Sequence, residues 1–267
     1  MRLGSGIGRI VNDRLRGRGL IETNKGIGRV KMATYVISDI HGCYDAYKEM
    51  LEKIHFSEND MLYVLGDVLD RGPHPIRIIQ DLMQRPNVVC LAGNHEYMAL
   101  ECLQFLLQEI TTENLDRLDA HMLEKLLNWQ QNGSVTTTDE FHKLDYAARR
   151  SVIDFISEFE LYEEVHIGDN VYLLVHAGLG NFAPDKEMWE YELDELIWER
   201  PDYGTAYYSD KYVITGHTPT MAIEANPRPG YIYRANNHIA IDCGAGFGGR
   251  LGCLCLETGE EFYVEGE

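Results

Sequence analysis

The sequence is poor in positive charge. Its 267 residues hold 24 Lys and Arg against 43 Asp and Glu, a formal net charge of −19 at pH 7. A general nucleic-acid binder needs a basic footprint to neutralise phosphates, so that class is excluded. No apolar run approaches the ~18 residues of a membrane-spanning helix, so no membrane role is expected. The first residues lack the apolar segment of a secretory signal. The six cysteines, Cys43, Cys90, Cys102, Cys243, Cys253 and Cys255, have no CxxC spacing. They read as small buried hydrophobes, and reduced thiols point to a cytoplasmic protein. A zinc site on Cys253 and Cys255 is disfavoured, because no second Cys or His pair accompanies them. With 45% hydrophobic and 25% charged residues, the chain is not a disordered one.

What positive charge there is lies at one end. Residues 1–31 carry eight basic and two acidic side chains, a net +6, which leaves −25 for the rest. This Gly-rich stretch has little amphipathic periodicity and reads as an arm outside the fold. Met32 stands just before the first strand-like run and fits a true initiator. Residues 32–267 are then the folded domain.

Three units of strand, loop and helix open that domain. Tyr35–Ser38, Met61–Leu65 and Asn87–Leu91 read as strands, and helices are predicted over Tyr44–Ile54, Pro73–Met83 and Glu96–Gln108. This repetition predicts parallel strands in a layered α/β architecture. Residues 109–160 read as a helical insertion, with Leu115, Leu118, Met122, Leu126 and Trp129 at helical spacing and Asn132-Gly133 as a stop. The remainder is rich in strands. The fold class expected is α/β, a four-layer α/β/β/α sandwich whose central β-sandwich is flanked by helices.

The polar residues stand where such folds build sites. Successive strands end in Asp39 and His41, in Asp67 and Asp70, and in Asn94 and His95; later ones end at His176 and His217. Carboxylates, an amide and imidazoles together suit two divalent cations of borderline hardness, Mn, Fe or Zn, over Mg or Ca. Two such ions need a bridging carboxylate. Asp67, in the middle loop, is the natural bridge.

These residues form motifs: Asp39-x-His41-Gly42, Gly66-Asp67-x-x-Asp70-Arg71-Gly72, Gly93-Asn94-His95-Glu96, His176-Ala-Gly178 and Gly216-His217. In this order they resemble the calcineurin-like metallophosphoesterases of the phosphoprotein phosphatase family. The resemblance is strongest to the bacterial and phage lambda type and the symmetrical diadenosine tetraphosphatases, and it runs from about Tyr35 to Leu256. It implies a metallophosphoesterase sandwich with two divalent metal ions, Mn²⁺ foremost. Asp39, His41 and Asp67 would hold the first ion, and Asp67, Asn94, His176 and His217 the second. A water held between the ions would attack phosphorus in line. His95 would protonate the leaving oxygen, Asp70 would pair with His95, and Arg71 would clamp phosphate oxygens with Asn94 beside it.

Arg200, in Ile197-Trp198-Glu199-Arg200, has two readings: a second phosphate clamp, favoured by the resemblance, or a surface Arg within an acidic run. Trp129 to Gly133 also resembles a family element, with a packed helix end as its plainer reading. Asp242 is expected to serve a turn rather than a metal. His55, His74, His121, His142, His166 and His238 lack such contexts and carry no assignment.

Gly216-His217-Thr218-Pro219 has no second His, which counts against nuclease and phosphodiesterase branches. The function implied first is hydrolysis of phosphomonoesters, phosphoserine or phosphothreonine and also phosphotyrosine in proteins. The alternative is a symmetrical dinucleoside tetraphosphatase or another small phosphoanhydride hydrolase. A catalytically dead binding module is disfavoured, because the ligand set, His95 and Arg71 are all present. Partners are thus a phosphorylated protein or small phosphate ester. Regulatory subunits are not implied.

Overall fold

The computed structural model describes residues 32–107 and 119–266. The basic arm 1–31 and the positions Leu115 and Leu118 lie outside the described residues. In chain order the described elements are β1 (Thr34–Ile37), α1 (Tyr44–Lys53), β2 (Met61–Val64), α2 (Pro75–Leu82), β3 (Val88–Cys90) and α3 (Asn94–Leu106). There follow α4 (Ala120–Gln131), α5 (Val135–His142), α6 (Tyr146–Ser157), β4 (Tyr162–Ile167) and β5 (Asn170–Val175). The last are α7 (Leu193–Ile197), β6 (Tyr212–Thr215), β7 (Tyr233–Ala235), β8 (His238–Ala240), β9 (Arg250–Cys255) and β10 (Glu261–Glu265).

Two five-stranded sheets result, in the orders β10-β9-β1-β2-β3 and β4-β5-β6-β8-β7. The strands β1, β2 and β3 are parallel, as the three repeated units predict, and β9 closes on β1 antiparallel. The side-chain period of two explains the layers. In β2, Leu62 and Val64 face the helices with Ile37, while Tyr63, and Leu65 just after the strand, face the second sheet with Val36. From the second sheet, Leu174 and Ile214 fill the inter-sheet core, while Leu173, Val175 and Val213 face the outer layer. The short helix α7 contributes to that outer layer. The layer's buried residues, Leu179, Tyr191, Leu196 and Ile197, come from irregular chain and the five-residue α7.

Local chemistry sets the helix starts. Asp119 and Asp145 cap α4 and α6, their carboxylates accepting from Met122 N–H at 2.8 Å and Ala148 N–H at 2.8 Å. Pro75 opens α2, where a missing N–H costs nothing. The next free N–H of α2, on Ile76, donates to Glu140 of α5 at 2.9 Å. His74 pairs with the other Glu140 oxygen at 2.9 Å. This contact pins the helical insertion to the helix that follows the Asp67–Gly72 loop. All six cysteines are buried and unbridged. Among the described residues no helix is long and apolar enough to cross a membrane.

Candidate metal centre

The loops after β1, β2, β3, β5 and β6 bring their polar residues to one place. Asp39, His41, Asp67, Asp70, Asn94, His95 and His176 are all buried, and His217 is nearly so. The backbone bends hard to achieve this. Asp39, His41, Asp67, Asp70, Arg71 and His217 all have positive φ, between 46° and 70°. Each such non-glycine residue costs on the order of 1–3 kcal/mol, and surrounding structure has to hold it. Gly93 shows the crowding: a Cβ there would run into the Asp67 carboxylate and the His176 ring.

Glu96 supplies part of the restraint. Its carboxylate accepts from Asp67 N–H at 2.8 Å, Val68 N–H at 2.9 Å, Leu69 N–H at 3.2 Å and Gly93 N–H at 3.0 Å. One buried side chain thereby ties the second loop to the third. The motif Gly93-Asn94-His95-Glu96 marked this residue, but its role needs the three-dimensional path of the 67–69 backbone. Helix α3 also starts at Asn94, two residues before the predicted start, so Asn94 and His95 sit on its first turn.

The imidazoles face one another with lone pairs. His41 Nδ1–H donates to the Leu69 carbonyl at 2.9 Å, and His176 Nδ1–H donates to the Leu65 carbonyl at 2.6 Å. Such bonds fix the tautomer and leave Nε2 without a hydrogen, as in metal-ligating histidines. His176 Nε2 then lies 3.1 Å from Asn94 Oδ1 and 3.4 Å from Asp67 Oδ1. His217 Nδ1 lies 3.0 Å from the same Asn94 oxygen. On the other side His41 Nε2 is 3.6 Å from Asp67 Oδ2. Two groups of ligand-type atoms converge within 4.8 Å, His41–Asp67–His95 and Asp67–His176–His217, and Asp67 belongs to both. Electron pairs packed against one another are stabilised by cations, so the donor set fits a pair of divalent metal ions.

Asp39 stands outside both groups. Its oxygens accept from Ser38 Oγ–H and from His217 N–H, the latter at 3.0–3.1 Å. Arg71 also sits within the centre: Nη1 donates to His41 Nε2 at 2.6 Å and Nη2 to His95 Nε2 at 3.0 Å. Its guanidinium thus brings a fixed positive charge against both imidazoles. Arg200 is exposed, and its charge reaches His217 and Asp242. Asp242 has the expected turn role, accepting from Gly244 N–H at 2.9 Å.

Behind His95 lies a second network. His95 Nδ1–H donates to Asp70 at 2.6 Å. The same Asp70 oxygen accepts from Trp129 Nε1–H at 2.8 Å, and its other oxygen accepts from Thr137 Oγ–H at 2.6 Å. Arg71 N–H donates to the Gly133 carbonyl at 3.0 Å. The helical insertion therefore holds Asp70 and Arg71, and Trp129 to Gly133 is more than a packed helix end. Hydrogen bonds to a charged group contribute ~1.5–3 kcal/mol. Trp129→Phe keeps most of the bulk, so denaturant unfolding should show a loss of about 1–3 kcal/mol; unchanged stability would contradict this network.

Charge follows the geometry. Burial alone would lower the His95 pKa, but Asp67 and the Asp70 hydrogen bond outweigh it and raise it, against Arg71. Burial lowers His41 and His217 to about 3, keeping both neutral. Burial opposes charge on Asp67, yet His176, His95, His41 and His217 hold its carboxyl below the usual range. Burial, with repulsion from Asp242 and Asp67, raises Asp39 well above that range. Burial pushes Asp242 up to about 7.

The signs differ between these groups. Protonated Asp242 contributes stability that is complete below the ordinary carboxylate pKa and lost as pH rises through about 7, and raised Asp39 contributes with the same sign. Neutral His41 and His217 contribute stability that is complete above ~6.5 and lost as pH falls toward 3. A divalent cation favours the ionised carboxyls, so its binding displaces protons. Calorimetric Mn²⁺ titrations at pH 6 in buffers of different ionisation enthalpy should detect proton release, with affinity rising toward pH 8. A pH-independent affinity without proton release would contradict these signs.

Fold and site together define a metal-dependent phosphoesterase class: a two-sheet sandwich whose strand-end loops gather two ligand groups on a shared carboxylate. The family profile described as calcineurin-like phosphoesterase matches residues 32–221, and the chain belongs to that family. The chain is 26% identical, over 82% of its length and 88% of the relative's, to an asymmetrical bis(5′-nucleosyl)-tetraphosphatase of Halalkalibacterium halodurans. It is 34% identical to a symmetrical bis(5′-nucleosyl)-tetraphosphatase of Erwinia tasmaniensis, over 42% of either chain. A solved structure assigned as a diadenosine tetraphosphatase superposes with a TM-score of 0.61, at 16% identity, over 90% of this chain and 96% of that one.

Proposed function

We propose that the protein is a metal-dependent hydrolase of dinucleoside polyphosphates, cleaving a phosphoanhydride bond. Relatives of both the asymmetrical and the symmetrical kind support this over the phosphoprotein reading that the motifs imply first. The observation that carries the chemistry is the pair of ligand groups sharing Asp67 beside Arg71 and His95. His41 and Asp67, with Asp39 recruited from its Ser38 contact, would hold one cation; Asp67, Asn94, His176 and His217 would hold the other. Mn²⁺ suits this mixture, with Fe or Zn as alternatives. Bound divalent ions supply Lewis acidity, activating water and neutralising phosphoryl oxygens.

The chain's own groups do the rest. Arg71 carries a planar fork that matches phosphoryl oxygens, and exposed Arg200, whose charge reaches His217, would offer a second cation. When Arg71 turns to phosphate, His95 Nε2 loses its donor and is free to carry a proton. Asp70 keeps the His95 ring oriented through Nδ1–H and favours its charged form. His95 then delivers the Nε2 proton to the leaving oxygen.

That His95–Asp70 pair also favours a second reading, phosphomonoester hydrolysis. An alkoxide leaves poorly without a proton, whereas a nucleotide phosphate needs little help. Comparison of kcat/KM with Mn²⁺ separates the two. Diadenosine tetraphosphate should exceed a phosphoserine peptide; a strong preference for the peptide would make the protein a protein phosphatase instead.

A further inference from the structure

Two large aromatic side chains remain exposed beside the centre, one against Arg71 and one against His217. Phe247 is 60% exposed and Trp198 is 38% exposed, although both lie against site residues. The Phe247 ring stands 4.4 Å from the Arg71 guanidinium carbon. The Trp198 ring stands 6.1 Å from the His217 ring, edge to face. Each aromatic therefore accompanies an arginine, Phe247 with Arg71 near His41 and Trp198 with Arg200 near His217.

Both rings are held by rigid backbone. Phe247 sits in a short turn between Gly244 and Gly248, whose φ values are 85° and 74°. Phe247 N–H and Gly249 N–H both donate to the Gly244 carbonyl, at 2.9 and 2.8 Å. The turn presses on the metal centre itself, because a Cβ on Gly246 would lie 2.6–2.8 Å from the His41 ring. Trp198 follows α7, which is tied to the His176 loop by Ala177 N–H to the Leu196 carbonyl at 2.9 Å. Gly180 N–H to the Glu195 carbonyl, also 2.9 Å, completes that tie. Exposed rings on such fixed supports present flat apolar faces at low entropic cost.

A substrate phosphate held by Arg71 would bring its nucleoside near Phe247, and one held beside His217 would bring its nucleoside near Trp198. We infer that Phe247 and Trp198 are specificity-determining residues that stack the nucleobases of the substrate, one base on each side of the metal centre. This rests on the dinucleoside polyphosphate reading and adds an apolar surface that recognises the nucleoside. A phosphate-only ligand would gain nothing from either ring.

The test compares Mn²⁺-loaded wild type with Phe247→Ala, Trp198→Ala and Phe247→Trp, by calorimetric binding of ADP and of inorganic pyrophosphate. Wild type should bind ADP more tightly than pyrophosphate. Base stacking on an aromatic corresponds to roughly 5- to 150-fold in affinity per base. At least one alanine variant should remove that advantage, and Phe247→Trp should retain it. In hydrolysis, each alanine variant should raise KM for diadenosine tetraphosphate with little change in kcat. Equal affinity of wild type for the two ligands, or equal weakening of both by the alanine variants, overturns the inference. If the base discrimination is present but diadenosine tetraphosphate is not cleaved, the proposed substrate fails and the aromatic platform stands.

Discussion

Asp67→Asn should reduce hydrolysis by at least ~10³-fold, whatever the substrate. Among the described residues Asp67 alone belongs to both ligand groups, so its loss affects both ions at once. Asn preserves volume and one oxygen acceptor, including the acceptor for His95 N–H at 3.1 Å. It removes the one carboxylate that the four surrounding histidines hold ionised. The remaining donors near the pair are neutral imidazoles, an amide and Asp39, which burial and its acidic neighbours disfavour as an anion. Without Asp67 the centre has too little negative charge to hold two cations close together. The variant should therefore bind at most one Mn²⁺ per chain while keeping a wild-type circular dichroism spectrum. An active Asp67→Asn protein would refute the shared-carboxylate arrangement.

His95→Asn should lower kcat by about 10²–10⁴-fold on a substrate with a poor leaving group. The loss should be smaller on p-nitrophenyl phosphate, whose leaving group departs without a proton. Metal content is the discriminating companion measurement. His95 Nε2 lies within the His41–Asp67 group, 3.9 Å from Asp67 Oδ2, so geometry alone allows a ligand or an acid. Its Nδ1–H bond to Asp70, braced by Trp129 and Thr137, favours the acid. An acid can be removed with both ions retained. If His95→Asn loses a metal ion in step with its activity, the acid role is wrong and His95 is a ligand.

Much of this centre was legible in the sequence because strand-end loops in a parallel sheet converge. Three strand–loop–helix units placed Asp67, Asn94 and His95 on one edge before any coordinate was needed. Asp39 was less legible: motif order places it near the first ion, but its carboxylate turns to Ser38 and the His217 N–H. Motif order carries no information on where a side chain turns in the absence of a cation. Glu96 was seen in its motif but not understood, because its four acceptor contacts depend on the path of the 67–69 backbone. Trp129 was ambiguous for a similar reason. A Trp at helical spacing signals packing, and only the docking of α4 and α5 shows its Nε1–H directed at Asp70. The outer layer over the second sheet was less legible, because in the aromatic and acidic segment 180–210 only Leu193–Ile197 forms an α-helix. Phe247 had no periodic signal at all, since it stands in a glycine turn.

The acidic composition takes on a definite meaning in this fold. A chain of net charge −19 attracts no polyanion by its bulk field. Its buried carboxylates instead create a place where cations are needed, with Arg71 and Arg200 at the border.

Titration of chelator-stripped protein with Mn²⁺, followed in parallel by calorimetry and by hydrolysis of diadenosine tetraphosphate, tests the account most directly. Two ions per chain should bind, with activity absent in chelator and reaching its full value only as the second equivalent is taken up. Full activity at one equivalent, or undiminished activity in chelator, would contradict a paired-metal phosphoesterase built on Asp67.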